Sequence, residues 1–547
     1  MNTFKPTPQQ QSAIEYTKSM IITACPGSGK TTVMKEKVRN TTLSLPSHKG
    51  VIAITFTKKA SAELKKKCTA NAHDTKQSFF GTIDSFCLKE IILPFIPRVW
   101  GKPEVELKTI KKLQTPHVHY LQQKYTSPTF EDIAADSGFK KLYDEGMLWM
   151  NSFAALALYV LKHSKSAQRY ISARYSHVFI DEYQDSSLAQ HQLFLSLFEQ
   201  GLIATAVGDV WQSIYEFRGG NSKLLTELAT NDHFKHFVID INHRCHPSIV
   251  NYATRLMDPN ATLLSHDHDD IRVYRSHLTG NLTNIGEILS NFINQLKEKH
   301  AIENESDVAI LAKKEKSLFL CVQGMQIDYR LYNDNPIEES SSSECVDFYS
   351  DLLAFRYGAI ATIQDLIDTH FDSVSPNQIS ISKLRVLIRK LRSDQTVEEL
   401  ILKFRELAVF VGILDTTHTD QALRLKIHDQ TFIKQFKPKA KNEVQVMTLH
   451  KSKGLEFKYV FHLDLEQWSF PYMEKGDNWD DLRYPSLDQD TNLHYVGITR
   501  AEEHCYLIRA EYRQNAAGND SKSKESYFWS LPQLAGLYVS ADVKMTH

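Results

Sequence analysis

A chain of 547 residues is long enough for three or four domains with cores of their own, and 42% hydrophobic with 24% charged residues is a globular balance, unlike that of a disordered, collagen-like or membrane protein. The formal net charge of -1 gives no long-range attraction for polyanions, so a nucleic-acid partner has to be met by a local groove and a histone-like coat role is disfavoured. Seven dispersed cysteines without a C-x-x-C pair argue against a disulfide framework, a zinc ribbon or an iron–sulfur cluster, and no apolar run approaches the ~18 residues of a membrane span, so a soluble, cytoplasmic protein is expected.

The chain opens on TPQQQSAI, Thr7 to Ile14, followed by SMIITACPGSGKTTVMKEKV. There the β-branched run Ile21 to Thr23 leads into a glycine-rich turn, and a helical pattern starts after Lys30. The turn Ala24-Cys25-Pro26-Gly27-Ser28-Gly29-Lys30-Thr31 has the P-loop spacing, with Ala24 where the first glycine usually stands. Gly27 and Gly29 permit the curl that points backbone N–H groups inward. Lys30 reaches the terminal phosphates, Thr31 can hold Mg²⁺, and the helix adds its positive end. The strand-like VIAITF (51–56) comes next, with Thr57 and Lys59 opening a helical stretch, and then GTIDSF (81–86). From about 87 to 168 helical periodicity and aromatics dominate, and FAALALYVL, Phe153 to Leu161, reads as a buried helix. VFIDEYQDSS ends an apolar strand in Asp181-Glu182, as expected of a Walker B: Asp181 to orient Mg²⁺ through water, Glu182 to position and deprotonate the attacking water. Two acids after a strand also suit the first turn of a helix. Their combination with the P-loop favours the functional reading, and to this point the residues imply a hydrolase of ATP or GTP.

Further along stand the strand IATAVGD, then GDVWQSIYEFRGG (208–220) and INHRCHPSIV (241–250), and the strand DVAILAK. The polar IEESSSSE, Ile337 to Glu344, reads as a loop or helix cap. KLRVLIRKLR (383–392) and KQFKPKAK (434–441) could grip duplex phosphate or could be a solvated helix face and a linker. VQVMTLHKSKGLEFKYVF (444–461) and HYVGITRA (494–501) close the series, the last an apolar, strand-like run ending on Thr499-Arg500. In order, spacing and wording these runs resemble the motifs of the UvrD/Rep/PcrA family of superfamily 1 DNA helicases, over nearly the whole chain. The resemblance implies an α/β fold of two RecA-like P-loop domains with parallel sheets, each carrying a mainly helical insertion. Residues 1–86 and 169–240 would form the first RecA-like domain, with an insertion at 87–168. Residues 241–333 and 442–547 would form the second, with a shortened insertion at 334–441.

The same resemblance implies roles. Gln10 stands at the adenine-reading position, and Gln212 senses the γ-phosphate of ATP from the first domain. Arg244 and Arg500 reach it from the second as arginine fingers, and Glu456 contacts the ribose. Phe56, Thr57, Lys59, Thr82, Tyr215, Phe217, Arg218, Thr448 and His450 are the expected contacts to single-stranded DNA, where flat side chains and phosphate grips serve any sequence. Some positions depart from the family wording. Thr32 stands where relatives have an adenine-stacking Arg, and His243 where they have a Tyr on the other face. Asp84 replaces a His near the expected DNA path, and QDTNLHY replaces an acidic-basic lead-in to HYVGITRA. The implied activity is ATP- and Mg²⁺-dependent 3′-to-5′ translocation or unwinding on single-stranded or tailed duplex DNA. The alternative is a nucleic-acid-sensing regulatory ATPase with a separate nuclease partner, as in the two-component Gabija anti-phage systems, whose compact helicase subunits this chain also resembles.

Overall fold

The computed structural model describes residues 5–542 apart from 111–112, 114–115, 215–219, 268, 300, 333–342, 372–377, 412, 414–415, 477–480 and 515–517. Two wholly parallel sheets organise it. The first contains β1 (Met20–Ala24), β2 (Gly50–Ile54), β3 (Phe79–Gly81), β4 (Tyr175–Ile180), β5 (Ile203–Gly208) and β6 (Lys235–Ile239) in the spatial order β3-β2-β4-β5-β1-β6. The second contains β7 (Val273–Leu278), β8 (Val308–Ala312), β9 (Tyr329–Tyr332), β10 (Val444–Thr448), β11 (Phe457–His462), β12 (Ala501–Ala510) and β13 (Val539–Asp542), in the order β9-β10-β8-β11-β12-β7-β13. The expected pairing of an α/β fold with two parallel sheets is what the backbone adopts.

Sequence dictates this because central parallel strands are covered on both faces and so must be apolar at every position. In β1, Met20, Ile22 and Ala24 enter one cluster while Ile21 enters another on the opposite face. In β8, Val308, Ile310 and Ala312 face one way and Ala309 and Leu311 the other. The period of two sends each side chain to the face opposite its neighbour's.

The two insertions are built differently. The helix α4 (Phe153–His163) buries eight of its residues, in a cluster that also takes Ile21 of β1, Ile52 and Ile54 of β2 and Val178 and Ile180 of β4. The helical region before β4 is thus part of the first sheet's core. The helices between Ser343 and Lys434 enclose a separate cluster, Cys345 to Phe436, that includes no strand residue of either sheet. Within it α5 (Gln378–Lys390) buries Leu384, Leu387 and Ile388 and exposes Lys383, Arg385, Arg389 and Lys390. The chain returns through KQFKPKAK, which the structure uses as a linker. Buried Arg330 donates to the Lys437 and Pro438 carbonyls and pairs with Glu443 at 2.9 Å, while Lys434 donates to the Tyr329 carbonyl at 2.6 Å. IEESSSSE lies outside the described residues over 337–342. No helix among the described residues is long and apolar enough to cross a membrane.

One reading is corrected. HYVGITRA was expected to be strand-like, yet His494 to Ile498 are the last turns of α6 (Leu487–Ile498), and only after Arg500 does β12 begin. All five residues are buried, and an apolar run buried on every side carries no period that separates strand from helix.

Phe404 is fully buried in the separate cluster, 4.9 Å from the Tyr349 ring in an edge-on contact. Phe404→Ala is expected to cost about 3–5 kcal/mol there, so calorimetry should show a lower-temperature transition while nucleotide affinity, measured below it, stays unchanged.

Candidate nucleotide site and nucleic-acid interface

Apart from Gln10, which lies in the helix before β1, and Ala24, which ends β1, the candidate nucleotide residues of the first sheet follow the C-terminal ends of strands, the edge at which open α/β sheets bind ligands. After β1 the loop turns through Gly27 at φ 69° and Gly29 at φ 77° into α2 (Lys30–Ser44). A Cβ on Gly27 would lie 2.6 Å from Cβ of Arg244 and 2.7 Å from Oδ1 of Asn242, so only glycine lets the P-loop touch the INHR segment. Cys25, Pro26 and Ser28 shape the loop: the Ser28 hydroxyl donates to the Cys25 carbonyl at 2.7 Å, and burial pushes the Cys25 thiol up to about 12. The Lys30 ammonium is buried with no hydrogen-bond partner among the described residues. Buried ammonium protons left without an acceptor are costly, and the polyphosphate of a nucleotide would satisfy them.

After β4 stand Asp181 and Glu182. The Thr31 hydroxyl lies 3.4 Å from Oδ2 of Asp181, whose carboxyl is pushed up by burial and then by the Glu182 charge, against Lys30. Glu182 adopts the left-handed region at φ 55°, a conformation that costs a non-glycine residue about 1–2 kcal/mol. Burial works to raise its carboxyl, but Lys30, Lys453, the Gln184 amide and Arg500 together hold it below the ordinary value. Gln184 Nε2 donates to Glu182 at 2.5 Å, while its Oε1 accepts the Asp209 N–H at 3.0 Å. Asp209, after β5, accepts from Gln212 Nε2 at 2.8 Å. The Gln212 side chain thus hangs on an acid that motif spacing did not single out.

Gln10 is committed on both ends of its amide. It closes the capping box of α1 (Pro8–Glu15) by accepting the Thr7 N–H, and it donates to the Ser28 carbonyl at 2.8 Å. Lys37, from α2, caps the same helix by donating to the Ala13 and Tyr16 carbonyls, and burial brings its ammonium down to about 8. His243 is exposed and its N–H donates to the Gly27 carbonyl at 3.1 Å, while Thr32 is half-buried in the first turn of α2.

The second sheet reaches this site at three points. Arg244 Nε pairs with Glu456 at 2.7 Å, bringing together two residues that had been assigned separately to phosphate and ribose. Arg500 is buried and donates to the Val496 and Leu455 carbonyls and the Thr499 hydroxyl. Burial first, then the Arg244 cation, pushes its guanidinium down to about 10. Lys453, which sequence reasoning did not select, bridges the sheets: it pairs with Asp185 at 2.5 Å, donates to the Gln212 carbonyl at 2.8 Å and stands 3.6 Å from Glu182. Burial pushes Asp185 up to about 6 against that lysine. KSKGLEF offers two lysines, and only the turn after β10 decides which one faces the first sheet.

The expected DNA contacts also follow strand ends. Phe56, Thr57 and Lys59 are exposed after β2, with Thr57 capping the helix α3 (Lys58–Thr69). Thr82, after β3, caps a short helix by accepting from Ser85. Burial raises the Asp84 carboxyl to about 6. Thr448 ends β10 and His450 follows it. Tyr215, Phe217 and Arg218 lie outside the described residues, but Ser213 and Ile214 before them are held by QDTNLHY: Asn492 Nδ2 donates to the Ser213 carbonyl at 2.9 Å and Gln489 Nε2 to the Ile214 carbonyl at 3.3 Å. Two amides therefore make here a coupling that the family wording assigns to charged residues.

Residues 6–93 and 101–233 match the family model of the UvrD/REP helicase N-terminal domain, and residues 336–512 that of the UvrD-like helicase C-terminal domain. The chain is 26% identical to the Gabija protein GajB of Bacillus cereus (strain VD045), over 90% of this chain and 92% of that protein. It is 23% identical to the ATP-dependent DNA helicase Rep of Buchnera aphidicola subsp. Acyrthosiphon pisum, over 92% and 95%, and 23% identical to the ATP-dependent DNA helicase PcrA of Bacillus subtilis (strain 168), over 95% and 85%.

Lys453→Met removes one of the cations that hold Glu182 ionised, so burial then acts on that carboxyl with less opposition. Turnover is expected to fall more than tenfold, and the acid limb of the pH–rate profile to move to higher pH, as steady-state ATPase assays between pH 5 and 9 would record.

Proposed function

The chain belongs to the UvrD/Rep family of ATP-dependent DNA helicases, and from that premise we propose that it moves 3′ to 5′ along single-stranded DNA by closing and opening the cleft between its two sheets. The observation that carries this reading is that Lys453 of the second sheet reaches the acids of the first, pairing with Asp185 at 2.5 Å, donating to the Gln212 carbonyl at 2.8 Å and standing 3.6 Å from Glu182. A site completed only when two bodies meet couples the bond broken in one to the position of the other.

Lys30 and the inward N–H groups of Gly27 to Thr31 hold the β- and γ-phosphates. Thr31 and Asp181, 3.4 Å apart, would hold a Mg²⁺ ion, which would supply charge neutralisation at the phosphates. Glu182 accepts the proton of the attacking water. Gln212, Arg244 and Arg500 face the γ-phosphate, Arg500 most usefully as charge builds, because its buried cation makes no salt bridge among the described residues. DNA lies along the strand ends that carry Phe56, Thr57, Lys59 and Thr82 on one sheet and Thr448 and His450 on the other.

A second reading is favoured by the shape of one alignment. Covering 92% of the chain against Rep takes 638 positions, whereas covering 90% against the Gabija protein takes only 525. The compactness is shared with the latter, which supports a regulatory ATPase in a phage-defence assembly with a separate nuclease, where strand separation is secondary.

ATP hydrolysis should rise at least tenfold with single-stranded DNA and vanish in Lys30→Ala and Glu182→Gln. Arg500→Ala should lower kcat about a hundredfold or more while nucleotide Kd changes less than tenfold. Strand displacement on 3′-tailed but not 5′-tailed duplexes is the expected polarity; turnover indifferent to DNA would sink the translocation reading.

A further inference from the structure

Trp468 stands in the left-handed region at φ 69° with 44% of its surface exposed. A bulky residue there is a steric outlier, and a ring so open to solvent gains little burial to offset the strain. The turn nevertheless fixes it from every side. Ser469 and Phe470 donate their N–H groups to the Glu466 carbonyl at 3.0 and 3.1 Å, Gln467 donates to the Lys524 carbonyl at 2.9 Å, and the Trp468 carbonyl accepts from Lys314 Nζ at 3.3 Å. Strain that persists because its surroundings over-determine it points to a use for the group so held.

The place of the residue suggests the use. It follows β11, which lies beside β8, which lies beside β10. Because the strands are parallel, His450, the pair Lys313-Lys314 and Trp468 come off neighbouring strands at one rim of the sheet. Lys313 pairs with Asp490 of α6 at 2.6 Å, and Asp490 also accepts the Tyr472 N–H at 2.5 Å. Next to Asp490 on the same helix, Gln489 and Asn492 hold the carbonyls of Ile214 and Ser213.

We propose that Trp468 is a stacking platform for a base of single-stranded DNA, extending the strand's path past His450 along the rim of the second sheet. The proposal rests on the single-strand reading above. With its backbone held by the turn and 44% of its surface exposed, Trp468 leaves ring surface open to any base, as sequence-independent binding requires. Lys313 and Lys314 stand on the adjoining strand end, where phosphate would pass.

The test compares the wild type with Trp468→Gly and Trp468→Phe, using anisotropy of a fluorescein-labelled oligo(dT) at several salt concentrations alongside thermal unfolding. Glycine is at home at this φ, so Trp468→Gly should keep or raise Tm while weakening oligo(dT) binding on the order of tenfold, with the salt slope unchanged, and Trp468→Phe should recover most of the loss. Wild-type affinity in Trp468→Gly overturns the platform while leaving DNA-stimulated hydrolysis intact. So does a loss accompanied by a shallower salt slope, which would mean a phosphate contact had gone instead. A wild-type protein that neither binds oligo(dT) nor hydrolyses ATP faster in its presence overturns the single-strand reading as well.

Discussion

The contact on which the site depends is the ion pair between Lys453 and Asp185. Asp185 is a carboxyl with no side-chain exposure, raised by burial, and its counter-charge comes from the other sheet. Removing either partner leaves a dehydrated charge unpaired, which typically costs 3–5 kcal/mol. The pair therefore draws the turn after β10 onto the turn after β4, and Glu182, three residues earlier in the chain, receives part of the same cation's field. Packing, electrostatics and the poise of the Glu182 carboxylate are one arrangement here.

A second contact works the same way with no charge at all. Gly27 admits the INHR segment so closely that a single methyl group would collide with Arg244, and the His243 N–H is tied to the Gly27 carbonyl. The P-loop turn and the INHR segment thus share a direct backbone contact, with no side chain as intermediary.

Much of this was legible in the residues because glycine, lysine and acid placement after apolar strands obeys local rules. Gly27, Lys30, Thr31, Asp181 and Glu182 fall where strand ends put them, and the alternating burial of β1 and β8 follows from their apolar runs. Residues whose partners are distant in the chain were not legible. Nothing in KSKGLEF distinguishes Lys453 from Lys451 until the turn is folded, and Asp209 acquires its meaning only through Gln184 and Gln212. The helical state of HYVGIT was hidden because complete burial erases period. The left-handed Glu182 and Trp468 were hidden too, since backbone strain leaves no mark on composition. The amides of QDTNLHY were not legible either, since Gln489 and Asn492 find the Ile214 and Ser213 carbonyls only in the fold.

The separate core between Cys345 and Phe436 bears on how such a chain changes over evolutionary time. The region before β4 cannot be exchanged without rebuilding the sheet it helps to fill, so its variation is confined to what the first sheet tolerates. The later helices fill a core of their own, join the second sheet through a clamped linker at Arg330, Lys437 and Pro438, and also touch α3 of the first half, so their length can vary with less disturbance to either sheet. Divergence of role among relatives of this architecture has its easiest route through those helices.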